Sequence, residues 1–353
     1  MSVLTQLARP EILALKPYSH ALWLPHLVRL HANEAPWRPA GDDTHAGLNR
    51  YPEPQPAALV QRLEQVFEAQ PGQLLVTRGS DEAIDLLSRI FLRAGVDAIL
   101  QLTPTFGMYQ VAARIQGAQV IEVPLLREQD WQLDVPRLLA AWTPQARLVY
   151  LCSPNNPTAN LLSEESLHAV CEALSGKAVV VIDEAYIEWT ERKSFARFLS
   201  RYPTLALLRT LSKAHALAGA RCGALVAPPE LIDLARKIIP PYAIAQSTVE
   251  AALRALEPDQ VRQSRARMDE LLRQRRLLQS ALAETPGVIK VWPSDTNFVM
   301  AEFADPQAMF DRATRGGLIV RDLRGNPALP QALRISIGDA EHNQRLLRSL
   351  ATS

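Results

Sequence analysis

A chain of 353 residues, 48% hydrophobic and 21% charged, has globular composition and is longer than one hydrophobic core usually organises, so a larger and a smaller domain are expected. Its 38 Lys and Arg nearly cancel 37 Asp and Glu, which excludes a strong overall field for nucleic acid or an anionic membrane and points to small-molecule partners. Cys152, Cys171 and Cys222 form no CxxC pair and leave an odd thiol, which argues against a disulfide framework or a structural zinc site and fits a reducing cytoplasm.

The first fifty residues are rich in Pro, His and Trp without sustained periodicity, and read as an arm with one short helix near Pro10 to Leu15. From Pro56, Leu59, Leu63, Val66 and Phe67 fall on one helical face, and the pattern stops at Pro71-Gly72. A short apolar run, Gln73 to Thr77, precedes Arg78-Gly79-Ser80-Asp81, which opens a second amphipathic helix bearing Ile84, Leu87, Ile90 and Phe91. Further apolar runs follow at Ala98 to Leu102, Gln119 to Val123, Arg147 to Cys152, Ala178 to Ile182, Leu205 to Leu208 and Ala224 to Val226. Continuous apolar strands separated by helical patterns predict an α/β fold, a mostly parallel central sheet flanked by helices. A long charged helix, Ser247 to Ala283, interrupted around Glu257-Pro258, leads to a smaller α+β domain with strands at Val288 to Trp292, Asn297 to Glu302, Gly317 to Arg321 and Leu333 to Ile337. None of the apolar runs is long enough to span a bilayer.

Three polar clusters sit at successive strand ends, where open parallel sheets bind ligands. Ser153-Pro154-Asn155-Asn156-Pro157-Thr158 leaves Asn156 as a rigidly aimed amide, though Asn-Pro also serves as an ordinary turn. Asp183-Glu184-Ala185-Tyr186 puts a carboxylate at the end of a buried strand, where it needs a cation; a helix cap or metal ligand are the other readings. In the segment Thr210 to Gly223, Ser212 and Arg221 are suited to grip a phosphate, and Lys213 is an amine able to condense with a carbonyl if its surroundings lower its pKa.

With these clusters, and with His31-Ala32-Asn33-Glu34, Asn49-Arg50-Tyr51-Pro52, Gly79-Ser80-Asp81-Glu82, Pro104 to Tyr109 and Leu333 to Gly338, nearly the whole chain resembles the fold-type I, class II pyridoxal-phosphate aminotransferases. Within them it looks most like the histidinol-phosphate aminotransferases. The resemblance implies an arm with part of the small domain at 1–45, a large cofactor-binding domain at 46–250 and a small C-terminal domain at 251–353. It implies pyridoxal 5'-phosphate carried on Lys213, which also moves the substrate proton, with Asp183 on the pyridine nitrogen. Asn156 and Tyr186 would hydrogen-bond the phenolic oxygen, and Tyr109 would stack on the ring. Gly79, Ser80 and Asp81 at a helix N-terminus, with Ser212 and Arg221, would hold the phosphate. Tyr51 in this family reaches the phosphate of the neighbouring subunit, which implies a homodimer with shared active sites. Arg334, Arg321, Tyr18 and Asn33 are the implied substrate-binding residues, and no metal is expected.

The implied reaction is transamination of L-histidinol phosphate with 2-oxoglutarate, giving imidazole-acetol phosphate and glutamate in histidine biosynthesis. Two positions depart from the family pattern: Ala159 stands where a glycine usually follows Asn-Pro-Thr, and His215 replaces an aromatic residue two positions after the lysine. An aminotransferase for aromatic or other amino acids, or a phospho-amino-acid decarboxylase of the same fold, remains open, because most of these residues serve the cofactor. A non-catalytic cofactor-binding protein is the third class, and intact Lys213, Asp183, Asn156 and Arg334 argue against it.

Overall fold

The computed structural model describes residues 2–24 and 26–351. The chain opens with two short helices, α1 (Val3–Leu7) and α2 (Pro10–Ala14). Ser2 caps α1 by accepting from the Thr5 N–H. The sequence predicts one short helix here and not α1, whose Leu4 and Leu7 are buried in the core on one face of the large sheet. An arm whose described residues form no helix or strand leads to α3 (Ala57–Val66), followed by β1 (Leu74–Thr77) and α4 (Ser80–Phe91). Strand–helix alternation continues through β2 (Ala98–Thr103), α5 (Met108–Ile115), β3 (Gln119–Pro124), α6 (Val135–Ala141), β4 (Ala146–Cys152), α7 (Glu164–Ala173) and β5 (Val179–Asp183). β6 (Leu205–Thr210) and β7 (Gly223–Val226) complete a sheet of order β1-β7-β6-β5-β4-β2-β3.

Only β7 runs against its neighbours. Along β4, Leu148 and Tyr150 enter one core while Val149 and Leu151 enter the other. With both faces covered, the strands need apolar residues at every position, which is why they read as unbroken runs.

Three helices, α8 (Pro229–Arg236), α9 (Gln246–Ala255) and α10 (Pro258–Ala283), lead out of this sheet. The break between α9 and α10 falls at Glu257-Pro258, as the sequence predicted, because proline lacks the N–H that a continuing helix would use. Beyond lie β8 (Val288–Val291), β9 (Phe298–Phe303), α11 (Pro306–Arg315), β10 (Arg321–Asp322), β11 (Ala332–Ser336) and α12 (Ala340–Ala351). The four strands form an antiparallel sheet of order β10-β11-β9-β8. The strand expected at Gly317 to Arg321 is displaced: Gly317 turns with φ 73° after α11, and pairing starts only at Arg321. β9 is buried on both faces, Val299, Ala301 and Phe303 against the small domain's helices and Met300 within the large core. The Trp131–Trp292 contact at 5.2 Å and the Arg127–Glu302 ion pair at 2.7 Å tie the two sheets together.

Candidate active site

Residues from the ends of β2, β4, β5 and β6 and from β10 and β11 enclose a cleft of about 1030 Å³. Ser80, Asp81, Asn156, Asp183, Tyr186, Ser212, Lys213, Arg221, Arg321 and Arg334 all line it, so three strand-end clusters far apart in sequence converge with two arginines from the smaller sheet.

Asp183 ends β5 and is 2% exposed. Its Oδ1 accepts the Ala185 N–H at 3.0 Å and its Oδ2 accepts the Tyr109 hydroxyl at 2.6 Å. Burial, joined by the negative charge of Asp81, outweighs those two donors and the opposing pull of Lys213 and pushes the carboxyl up to about 6. A cation docking against Asp183 from the cleft would restore the charged form.

Lys213 lies on the turn after β6, its Nζ 5.7 Å from the Tyr186 ring centroid. Desolvation by the cleft walls and then the positive charge of Arg334 hold the amine below the usual lysine range, with Arg221 adding to the effect and Asp81 and Asp183 opposing it. A depressed amine pKa is what a nucleophilic lysine requires.

The α4 N-terminus faces the same cleft. Its N-cap, Gly79, provides no side-chain acceptor, so the first-turn N–H groups keep their positive potential for an anion. Arg221 donates to the Ser212 hydroxyl at 3.4 Å and pairs with Asp81 at 3.2 Å. A Cβ on Gly79 would lie 2.6 Å from Arg221 Nη2, so glycine there keeps the cup open. Gly223 is needed for a different contact, since its Cβ would meet the Arg209 carbonyl at 2.7 Å and Ser80 N at 2.9 Å. β7 thus presses the α4 N-terminus into place.

Asn156 donates to the Tyr186 hydroxyl at 3.3 Å, and its Oδ1 accepts from Arg334 Nη1. The β10–β11 ladder sets Arg321 directly opposite Arg334. Two like charges facing each other across a ladder repel, and an anion between them removes that cost.

Tyr109 departs from its expected role. Its ring is fully buried, stacked on Tyr150 at 4.5 Å, and its hydroxyl is committed to Asp183, so it lies under the cleft rather than on its wall. Phe106, to which the sequence reading gave no role, is the aromatic of this segment that lines the cleft, together with Tyr186 from the β5 end. Its place in the turn after Thr103-Pro104-Thr105 was the available signal.

Tyr18, Asn33 and Tyr51 do not line the cleft of their own chain. All three are exposed on the arm, and Tyr51 stacks on Tyr242 at 4.5 Å. Glu34 organises this stretch, pairing with Arg29 at 3.0 Å and Arg50 at 2.9 Å and accepting the Tyr51 N–H at 2.7 Å. Ala159, where glycine is usual, has φ 69° and is completely buried, so it occupies the left-handed region that glycine enters without a Cβ penalty.

The family model for aminotransferase class I and II matches residues 29–350. A histidinol-phosphate aminotransferase of Stenotrophomonas maltophilia is 44% identical over 350 residues, covering 98% of this chain and 96% of that protein. One from Escherichia coli O157:H7 is 42% identical over 349 residues, covering 98% and 97%. Among solved structures, histidinol-phosphate aminotransferase from Sinorhizobium meliloti in complex with pyridoxal-5'-phosphate superposes with a TM-score of 0.77 at 26% identity, over 86% of this chain and 82% of that one.

Proposed function

We propose that this chain, which belongs to the aminotransferase class I and II family, uses pyridoxal 5'-phosphate to transfer the amino group of L-histidinol phosphate to 2-oxoglutarate in histidine biosynthesis. The observation that carries the choice of substrate is the placement of Arg321 opposite Arg334 at the mouth of a cleft whose floor holds Lys213 and Asp183. A donor with a phosphate ester and an acceptor with a distal carboxylate each bring the anion that this pair needs.

The residues present suit the cofactor. The α4 N-terminus, Ser212 and Arg221 form a cup for its phosphate, and the under-compensated Asp183 carboxylate is placed to hold a protonated ring nitrogen. When bound, pyridoxal phosphate supplies an electron-poor ring that takes up the electron pair released when a substrate C–H bond breaks. Lys213 Nζ anchors the cofactor and, once released, carries the proton away from the substrate carbon and returns it elsewhere on the same face. Its lowered pKa keeps a share of the amine unprotonated for that task. Tyr109 orients Asp183, while Asn156 and Tyr186 present an amide and a hydroxyl to the cofactor's phenolic oxygen. Arg334 grips the carboxylate of glutamate or 2-oxoglutarate, and Arg321 joins it for the phosphate of histidinol phosphate.

The reading includes a cofactor-binding domain at 46–250, a smaller domain at 251–353, and a cytoplasmic homodimer in which Tyr51 of the partner subunit completes each phosphate cup. Exposure of Tyr51 away from its own cleft supports this arrangement. Tyr18 and Asn33 serve the substrate in the same way, from the arm.

Product counting tests the reaction. L-Histidinol phosphate without keto acid should yield about one equivalent of imidazole-acetol phosphate per bound cofactor, and 2-oxoglutarate should make the reaction catalytic. Sustained turnover without an acceptor would instead indicate a lyase. In the same assay Arg321→Ala should raise KM for histidinol phosphate by one to two orders of magnitude, roughly the 1.5–3 kcal/mol of a charge-assisted contact, with a smaller effect on glutamate.

A further inference from the structure

A second chamber, of about 1260 Å³, lies behind the segments that form the cleft floor. Along these segments neighbouring residues face opposite cavities: Asp183, Ala185 and Tyr186 line the cleft, whereas Ile187, Glu188 and Trp189 line the chamber. Likewise Thr210, Ser212 and Lys213 face the cleft, while Arg209 and His215 face the chamber. The opposite wall is one face of α10, on which Arg265, Met268, Asp269, Leu272, Arg275 and Arg276 recur at helical spacing.

The chamber gathers nitrogen atoms that the fold leaves without partners. Five buried ones belong to residues that line it: Arg209 Nε and Nη1, Trp189 Nε1, His215 Nε2 and Arg275 Nε. A single buried oxygen without a partner, Glu188 Oε2, accompanies them. Arg209 and Trp189 are 3% and 4% exposed, so these N–H groups have been withdrawn from bulk water. Arg209 is held edge-on by Glu188, which accepts from Nη2 at 2.7 Å, and face-on by the Phe67 ring at 4.5 Å. Its Nη1 is 3.5 Å from Glu184 Oε2 but makes no hydrogen bond there.

Charge points the same way. Seven cations (Arg62, Arg192, Lys193, Arg209, Arg265, Arg275, Arg276) and five acids (Glu68, Glu188, Glu191, Asp269, Asp295) line the chamber, a surplus of two positive charges with His215 neutral. Of the cations, only Arg209 is in an ion pair among the described residues. Excess donors together with excess positive charge describe the complement of an oxyanion, and their number exceeds what one carboxylate can accept.

We propose that this chamber is a second anion site, distinct from the transamination cleft, which binds the phosphate group of a small molecule between α10 and the back of the Lys213-bearing segment. Arg265 and Arg276 supply the charge at its mouth, and a small side-chain shift turns the N–H groups of Arg209, Trp189 and Arg275 toward the phosphate, joined by His215 in the tautomer protonated on Nε2.

Equilibrium dialysis of the cofactor-loaded protein against labelled inorganic phosphate tests this. The wild type should bind two phosphates per chain, one in the chamber and one at Arg321 and Arg334. Arg265→Ala with Arg276→Ala should weaken the chamber site by at least about tenfold, with the transamination rate unchanged. Both positions are exposed on a helix where alanine is well tolerated, and circular dichroism checks the fold. Arg321→Ala should weaken only the cleft site, so the chamber is judged independently of the reaction assignment. An unchanged isotherm in the double variant, or loss of both sites together in Arg321→Ala, overturns the proposal. Displacement of chamber phosphate by glycerol 3-phosphate would mark a phosphate ester as the natural occupant, and retention would mark inorganic phosphate.

Discussion

Asp183 shows how a single residue can be costly to the empty fold and useful to the filled site. Its carboxyl titrates near 6 in the folded chain against 3.8 in an open one, so the folded state holds the proton more tightly. That contribution to stability is fully present below about pH 4 and is lost as pH rises through 6. In cofactor-free protein, Asp183→Asn should therefore be more stable than wild type at pH 7.5, by on the order of 2 kcal/mol, with the difference shrinking toward pH 4. Urea unfolding at both pH values checks the sign, and a variant less stable at pH 7.5 would contradict it. The same variant loaded with cofactor should lose most activity, since the ring nitrogen would no longer be held protonated. Lys213→Ala should abolish turnover and leave the melting temperature within a few degrees of wild type, because the side chain lines the cleft and makes no hydrogen bond or ion pair among the described residues. Appreciable transamination in that protein would remove Lys213 from its assigned role.

At the scale of elements, the cup proposed for the cofactor phosphate depends on how closely β7 approaches α4. The absent side chain of Gly223 lets the Arg209 carbonyl and the Gly79–Ser80 peptide come within van der Waals contact, and no flexible atom could yield to a Cβ there. Gly223→Ala should destabilise the fold by about 1–3 kcal/mol, the usual range for overpacking, and should weaken cofactor affinity disproportionately because the displaced group is the α4 N-terminus. Cofactor titration beside a denaturant melt separates the two effects; a stability loss with unchanged affinity would mean the cup does not depend on this contact. The two-residue strand β10 acts in a comparable way. By pairing with β11 it sets Arg321 opposite Arg334, a juxtaposition that neither short strand announces alone.

For the whole molecule, the arm holds Tyr51 away from the cleft of its own chain. Tyr51 is half exposed and fixed by Glu34 and Tyr242 outside its own cleft. If Tyr51 serves the partner's site, Tyr51→Ala and Lys213→Ala, each nearly inactive, should complement one another. Subunit exchange at equal concentrations gives half hybrids, each with one intact site, and hence about a quarter of wild-type activity. No recovery after verified exchange would place Tyr51 outside the shared site.

The sequence by itself determined the sheet and, through its resemblance to a known family, the reaction class. Parallel strands covered on both faces must be apolar throughout, and a buried Asp183, an aimed Asn156 and Lys213 at successive strand ends are local signals that survive folding. It also marked Ala159 as a departure, and the backbone at φ 69° gives the reason a glycine is usual there. Only the tertiary structure decided which aromatic of the 104–109 segment faces the cleft. Phe106 and Tyr109 lie three residues apart in one segment, and the choice was made by Tyr150 and Asp183, which come from other strands. The same holds for α1, whose five residues are too few for a periodic signal and whose burial depends on the large sheet's core. The second chamber was likewise invisible in sequence, because its walls, α10 and the backs of the 187–194 and 209–215 segments, become neighbours only when the two sheets pack.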